Sequence, residues 1–261
     1  MNIKHTITSA LSTAAALVLA SCGVQIQMES AVPAEINLGR GTMIACEPHG
    51  NNVSQKICYA VANRINQDGY YTVGSYNNGK PMAFLEVMNA QLKTTSGQNY
   101  SYTDLITTIR IADLNDHQLY RRSLKTDVDE DQYGNLYIDD ACRTIARTVM
   151  LDLTPHAVTY KEKVSPNDEN PAIEMGAKAC ASGNWELGRS YAQQAIAHNP
   201  NDPEAYYLLG LIERNALNYA QSTANFEKAY SIEQKGKYKS AILKNSTFAT
   251  NEANVRQQLS N

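Results

Sequence analysis

Residues 199–214, NPNDPEAYYLLGLIER, decide the fold of the C-terminal part of this 261-residue chain. Asparagine, proline and aspartate at positions 199–203 predict a turn, and the apolar residues that follow recur at helical spacing. Three pairs of residues 34 positions apart are small or apolar at both positions: Gly176 and Gly210, Ala192 and Phe226, Ala195 and Ala229. A period of this length indicates stacked helical hairpins.

These positions resemble those of tetratricopeptide repeats, in which small residues let helix A and helix B of a repeat approach each other. The turn at residues 199–203 is similar to the turn between two repeats of that family. Three positions depart from the family pattern: Ser222, Gln234 and Trp185. We predict two repeats over residues 171–236 and a capping helical segment over residues 237–261. Generic helical hairpins are the alternative interpretation.

The resemblance implies that partners bind the concave surface formed by the A helices. On the second repeat this surface would carry Tyr207, Leu211 and Arg214. Tyrosine and arginine are enriched at binding hot spots, so these three residues are the candidate partner-binding site. The alternative is that they pack against the neighbouring domain or the capping segment.

Residues 1–22 resemble a bacterial lipoprotein signal. A basic start at Lys4 precedes an apolar run over residues 10–20, and Leu-Ala-Ser-Cys at residues 19–22 matches the lipobox. A run of about 11 residues is too short for a membrane span of about 20 residues. We expect cleavage after residue 21 and attachment of acyl chains, palmitate among them, to Cys22. An ordinary secretory signal with a chance cysteine is the alternative.

The polar, non-periodic residues 22–34 are predicted to be a tether between the lipid and the first domain. No acidic cluster follows Cys22. Lipoprotein sorting rules then imply the outer membrane, with the chain facing the periplasm or, alternatively, exposed at the cell surface. Membrane attachment is expected through the lipid anchor alone.

Residues 35–164 show the pattern of an α+β domain with the element order β-α-β-β-β-β-α-β. Helical spacing marks a first helix that ends at Gly69 and a second over roughly residues 138–153. Two long extended runs, 82–94 and 102–114, lie between them. We predict a mostly antiparallel sheet with both helices on one face, followed by a linker at residues 165–170.

The first strand, a helix, Gly-Tyr-Tyr-x-Val at residues 69–73, two long strands and a late helix resemble periplasmic lipoprotein domains. The similar families are the curli-secretion lipoprotein and the penicillin-binding-protein activator lipoproteins. The resemblance covers about residues 34–164. It implies a role in envelope assembly, cell-wall synthesis or secretion.

Four cysteines follow Cys22: Cys46, Cys58, Cys142 and Cys180. An exported chain can form disulfides, and Cys46 ends a strand close to Cys58 in the next helix. This pair is the disulfide candidate, with buried thiols as the alternative. No cysteine lies in a Cys-x-x-Cys pair and no histidine has zinc-ligand spacing, so we expect no metal site.

Catalytic motifs are not found in the sequence. It lacks Gly-x-Gly-x-x-Gly, a Walker loop and Gly-x-Ser-x-Gly, and His49 lies in a loop without a recognisable nucleophile setting. The acidic residues 127–131 resemble a calcium loop, but Gln132 and Ile138 replace the required glycine and glutamate. We expect a solvated acidic turn, no enzyme activity and no cofactor.

Charge and composition leave a small number of function classes. Without the signal, the chain has 22 basic and 26 acidic residues, and this acidic balance argues against a nucleic-acid partner. The first hypothesis is a lipid-anchored adaptor that binds envelope proteins through its repeats. The alternative is an oligomeric secretion component, although polar residues within 82–126 disfavour membrane hairpins. Sixteen tyrosines suggest a weaker third alternative, a glycan-binding lipoprotein. The sequence leaves the oligomeric state open.

Overall fold

A computed structural model describes residues 23–74, 82–98, 100–166 and 169–260. In chain order its elements are β1 (Val24–Val32), β2 (Met43–Pro48), α1 (Asn52–Asp68), β3 (Thr72–Val73), β4 (Ala83–Ser96), β5 (Ser101–Asp113), β6 (Gln118–Val128), α2 (Ile138–Leu153), β7 (His156–Val164), α3 (Pro171–Ala181), α4 (Trp185–His198), α5 (Pro203–Asn215), α6 (Tyr219–Ile232) and α7 (Gly236–Ser260). The α+β class and the helical C-terminal part are therefore confirmed.

The chain divides into two compact units. The sheet unit comprises residues 32–156 together with the end of the chain from residue 254. Among the described residues, the helical unit comprises those within 157–253 together with residues 23–31. The predicted domain boundaries differ from this division, because β1 and β7 both belong to the helical unit rather than to a tether and to the α+β domain.

The sheet unit contains a five-stranded sheet in the order β3-β2-β4-β5-β6. β2 pairs in parallel with both β3 and β4, whereas the β4–β5 and β5–β6 pairings are antiparallel. Our expectation of a mostly antiparallel sheet thus holds for one half of the sheet. The other half is parallel because α1 forms a crossover between β2 and β3, which returns the chain in the same direction.

Both helices of the sheet unit bury an apolar stripe in one core. α1 contributes Ile57, Val61 and Ile65, and α2 contributes Val149 and Leu153, all fully buried. The Asn51 side chain caps α1 by accepting the backbone N–H groups of residues 53 and 54, at 3.0 and 3.1 Å. Gly69 ends α1 with a left-handed φ of 72°, a conformation that glycine adopts without steric cost.

The helical unit begins with a strand where we predicted a tether. Ile26, Met28 and Ser30 of β1 are buried, while the residues between them are exposed. β1 forms a two-stranded sheet with β7. The tether prediction for residues 22–34 is therefore wrong over β1: Val24, Ile26 and Met28 alternate with polar residues, which is the period of two of a half-buried strand, and the tether interpretation overlooked it.

Helices α3 to α6 form two successive hairpins that pack through small residues. A Cβ atom on Gly210 of α5 would lie 2.6 Å from Cδ1 of Phe226 in α6. A Cβ atom on Gly176 of α3 would lie 2.9 Å from Cδ2 of Leu208. Glycine at both positions lets neighbouring helices approach closely. No strand interrupts residues 171–232, all of which the structure describes.

The end of the chain is one helix of 25 residues, α7. The polar residue Asn245, within α7, is buried and donates to the Tyr219 carbonyl at 2.8 Å. The last residue of the linker predicted at residues 165–170 is held by a hydrogen bond, since Asn170 donates to the Ala195 carbonyl at 3.1 Å.

Of the helices in the described ranges, none is both long enough and apolar enough to cross a membrane.

Candidate functional site

The predicted partner-binding residues lie together on α5, but they are buried and inaccessible to a partner. Tyr207, Leu211 and Arg214 are 2%, 0% and 3% exposed. Tyr207 and Arg214 contact β7 and α7 of the same helical unit, and Leu211 lies in its core. The predicted binding surface is therefore not free, and the alternative that these residues pack against the capping segment describes the structure.

A buried carboxylate from β7 organises this closed surface. Glu162 accepts hydrogen bonds from the Tyr207 hydroxyl at 3.1 Å, from Nη1 of Arg214 at 3.3 Å and from Nζ of Lys244 at 3.2 Å. Burial and the nearby Glu162 charge raise the pKa of Tyr207 far above its usual value, so its hydroxyl remains a donor. Three donors thus compensate a carboxylate that is largely removed from water.

The Arg214 guanidinium is satisfied inside the unit. Nε donates to Oδ1 of Asn245 at 3.0 Å, and Nη2 donates to the Ala241 carbonyl at 2.8 Å. The guanidinium also lies over the rings of Phe226 and Phe248, 4.7 and 5.2 Å from their centroids. These contacts come from α6, α7 and β7, so Arg214 connects the second hairpin to its cap.

The predicted lipidation site, Cys22, lies outside the described residues, but its neighbour Gly23 is packed against the fold. Gly23 has a φ of 74°, and a Cβ atom there would lie 2.6 Å from the Val164 carbonyl oxygen and 2.8 Å from Cε of Lys163. Both of these residues belong to β7. Gly23, the residue next to the predicted anchor, is therefore part of the packed helical unit.

All four cysteines that the structure describes are free thiols. The candidate disulfide between Cys46 and Cys58 is not formed; Cys58 is a buried thiol and Cys46 a partly buried one. Burial raises the pKa of both to about 12, because the charged thiolate loses its hydration. Their reactivity is correspondingly low.

His49 lies near two carboxylates that sequence analysis did not connect with it. Ligand atoms of Glu47, His49 and Glu86 lie within 4.8 Å of one another. Oε2 of Glu86 also accepts from Nη1 of Arg110 at 2.7 Å, and Nε2 of His49 lies 3.7 Å from Oε1 of Glu86. Because the Arg110 guanidinium already neutralises Glu86, this cluster is better suited to an internal ion pair than to a cation.

The acidic run at residues 127–131 forms a turn. Oδ1 of Asp131 accepts the backbone N–H groups of Tyr133 and Asn135 at 2.8 and 2.9 Å. The hydrogen bonds from the Asn135 side chain and backbone lower the pKa of Asp131. The carboxylate therefore organises its own loop, as expected for a turn.

An open groove of about 820 Å³ lies between α1 and α2 on the sheet unit. Ala60 and Ala146 line it together with polar and cationic side chains, among them Lys56, Arg64 and Arg147. Sequence analysis missed this site. The available signal was the four-residue spacing of Arg143 and Arg147, which places both on one face of α2.

Comparisons with known proteins find only weak structural similarities. No family model matches the chain, and no curated protein matches it. A PelC dodecamer from Paraburkholderia phytofirmans is 10% identical, with a TM-score of 0.34; the match covers 49% of this chain and 98% of that one. The hypothetical protein CT253 from Chlamydia trachomatis is 8% identical (TM-score 0.32; 42% of this chain, 94% of that one).

A third similar structure is the lipoprotein GNA1162 from Neisseria meningitidis. It is 15% identical, with a TM-score of 0.29, and the match covers 42% of this chain and 95% of that one. Similarity at this level does not assign a function, so the geometry described above carries the functional argument.

Proposed function

We propose that this protein is a lipid-anchored scaffold of the bacterial cell envelope, with its helical unit held directly at the membrane surface. The observation that carries this proposal is the packing of Gly23 on β7, with β1 beginning at the next residue. Consecutive Cα atoms are about 3.8 Å apart, so a lipid on Cys22 would leave no more than that length of chain between the anchor and the fold.

The anchor would be strong because each buried CH₂ of an acyl chain contributes about 0.8 kcal/mol. The anchor and the helical unit would then behave as one body. A scaffold of this kind holds whatever it binds at a fixed height above the membrane, which a flexible tether does not.

The helical unit suits a structural role. We assign α3–α4 and α5–α6 as two tetratricopeptide repeats, on the basis of their 34-residue period and the close helix approach at Gly176 and Gly210. β7 and α7 fill the inner face of the second hairpin through Glu162 and Arg214. The inner face of the repeats is therefore occupied by the chain itself, and envelope partners would bind to other surfaces.

The test places a photo-crosslinking amino acid at Lys163, next to Gly23, in cells that acylate the protein. We expect crosslinks to lipid in the wild-type chain. A Gly-Ser insertion of about 20 residues after Cys22 should abolish these crosslinks while leaving detergent-phase partitioning unchanged, because the fold then moves away from the surface.

Cys22→Ala controls for the anchor itself, and it should leave uncleaved precursor that no longer matures. If lipid crosslinks at position 163 are absent in the wild type, or persist after the insertion, the helical unit is not held at the membrane. If the Cys22→Ala protein still matures and partitions into detergent, the lipid anchor is wrong.

A further inference from the structure

We infer that the groove between α1 and α2 binds an anionic glycan of the uronic-acid type. The groove lies entirely within the sheet unit and runs along the outer side of two helices whose opposite sides form the core. Its volume of about 820 Å³ is within the range of ligand sites in proteins, about 300–1,000 Å³. The inference is independent of the lipid anchor.

The groove is cationic in a chain whose net charge is −3. Four cationic side chains and a single carboxylate, Asp139, line it. Lys56 is paired with Asp139 at 2.6 Å, and Arg143 is paired with Asp140. Arg64 and Arg147 have no ion-pair partner among the residues that the structure describes. These two guanidinium groups remain available for carboxylates, which they bind in bidentate fashion.

Tyr59 supplies an aromatic surface in the middle of the cationic side chains. Its side chain belongs to α1 and the residue is 71% exposed, so its ring is accessible to a ligand. The apolar C–H face of a sugar ring packs against an aromatic face, which is electron-rich. A tyrosine that lines a polar groove therefore favours a ligand built from rings.

The remaining walls carry amides. Asn52, Gln55, Asn63 and Gln67 of α1 all line the groove. Each amide offers donors and an acceptor, which matches sugar hydroxyl groups that both donate and accept. Amides, an aromatic ring and free guanidinium groups together fit an acidic sugar chain.

A protein partner fits the groove less well. The core of a protein interface is usually apolar and poor in charged residues. Here the lining contains no leucine, isoleucine, valine, methionine or phenylalanine, and its apolar part consists mainly of Ala60 and Ala146. An acidic peptide could use Arg64 and Arg147, but it would gain little from the Tyr59 ring.

The test is calorimetric titration of the full-length acylated protein in detergent micelles with three probes. They are a galacturonic acid tetramer, the corresponding neutral α-1,4-linked galactose tetramer, and a hexaglutamate peptide. We expect the uronate oligomer to bind and the other two to bind at least about tenfold more weakly. Tyr59→Ala and Arg147→Gln should each weaken uronate binding by about tenfold or more.

Two matched variants serve as controls: Tyr133→Ala removes another exposed tyrosine and Arg121→Gln another exposed arginine. Both should bind as the wild type does. Absence of uronate binding overturns the inference. So does equal binding of hexaglutamate together with insensitivity to Tyr59→Ala, which would show general charge attraction. All four substitutions lie at exposed positions, and circular dichroism verifies that each variant is folded.

Discussion

Glu162 and Arg214 form an ion pair inside the helical unit, with Oε1 and Nη1 3.3 Å apart and both residues buried. Glu162 lies on β7 and Arg214 on α5, so the pair connects the two-stranded sheet to the second hairpin. The residue that we expected to contact a partner therefore holds the unit together.

Arg214→Ala should destabilise the helical unit by about 3–5 kcal/mol, because it leaves the Glu162 carboxylate buried without its main charge partner. Lys244→Ala is the matched control. Lys244 contacts the same carboxylate, but its side chain is 47% exposed, so its loss should cost about 1 kcal/mol or less. Urea unfolding followed by tyrosine fluorescence measures both. Equal losses would mean that the pair does not organise the unit.

Gly210→Ala should destabilise the second hairpin by about 1–3 kcal/mol, since the new methyl group would overlap the ring of Phe226. Phe226 is fully buried. Gly236→Ala provides the comparison, because a Cβ atom there has no heavy atom within 4 Å. Thermal unfolding should show a lower midpoint for the first variant only. A neutral Gly210→Ala would contradict close helix approach at this position.

The four thiols should be unreactive in the folded protein. At about pH 8, a thiol reagent should label almost none of Cys46, Cys58, Cys142 and Cys180, and should label all four after unfolding. Rapid labelling of more than one thiol in the native protein would contradict the burial of Cys58, Cys142 and Cys180, since Cys46 is only partly buried. Fewer than four labelled thiols after unfolding would indicate a disulfide.

The raised pKa values of the buried thiols predict that the protein loses stability as the pH becomes alkaline. Burial raises the pKa of Cys142 from 9.0 to about 11 and that of Cys180 to about 12. The folded state therefore holds these protons more tightly than the unfolded chain. Their contribution to stability is complete below pH 9 and is lost as the pH rises toward 11 or 12. Cys142→Ala should reduce the loss of stability measured in urea over this range.

The sequence predicted those features that depend on local pattern. The apolar stripes of α1 and α2 have helical spacing, and the period that relates Gly176 to Gly210 is visible without any structure. The sequence left two interpretations of the surface around Tyr207 open, a free binding surface and packing against the capping segment, because the closure depends on Glu162 and α7, which are far from α5 in the sequence. The cationic groove was missed for the same reason: Arg64 and Arg147 lie on different helices, and only tertiary packing brings them to one groove.

Two substitutions in β1 distinguish a strand that is packed on the helical unit from a flexible tether. Ile26 is fully buried in the core of the helical unit, whereas its neighbour Gln27 is exposed. Ile26→Ala should therefore cost about 2–5 kcal/mol of unfolding free energy, as other truncations of buried isoleucine do. Gln27→Ala should change stability by no more than about 0.5 kcal/mol. Urea titration of the two purified variants under identical conditions provides the comparison. If residues 22–34 were a flexible tether, neither substitution would affect unfolding, and equal midpoints would remove the basis for a helical unit held directly at the membrane.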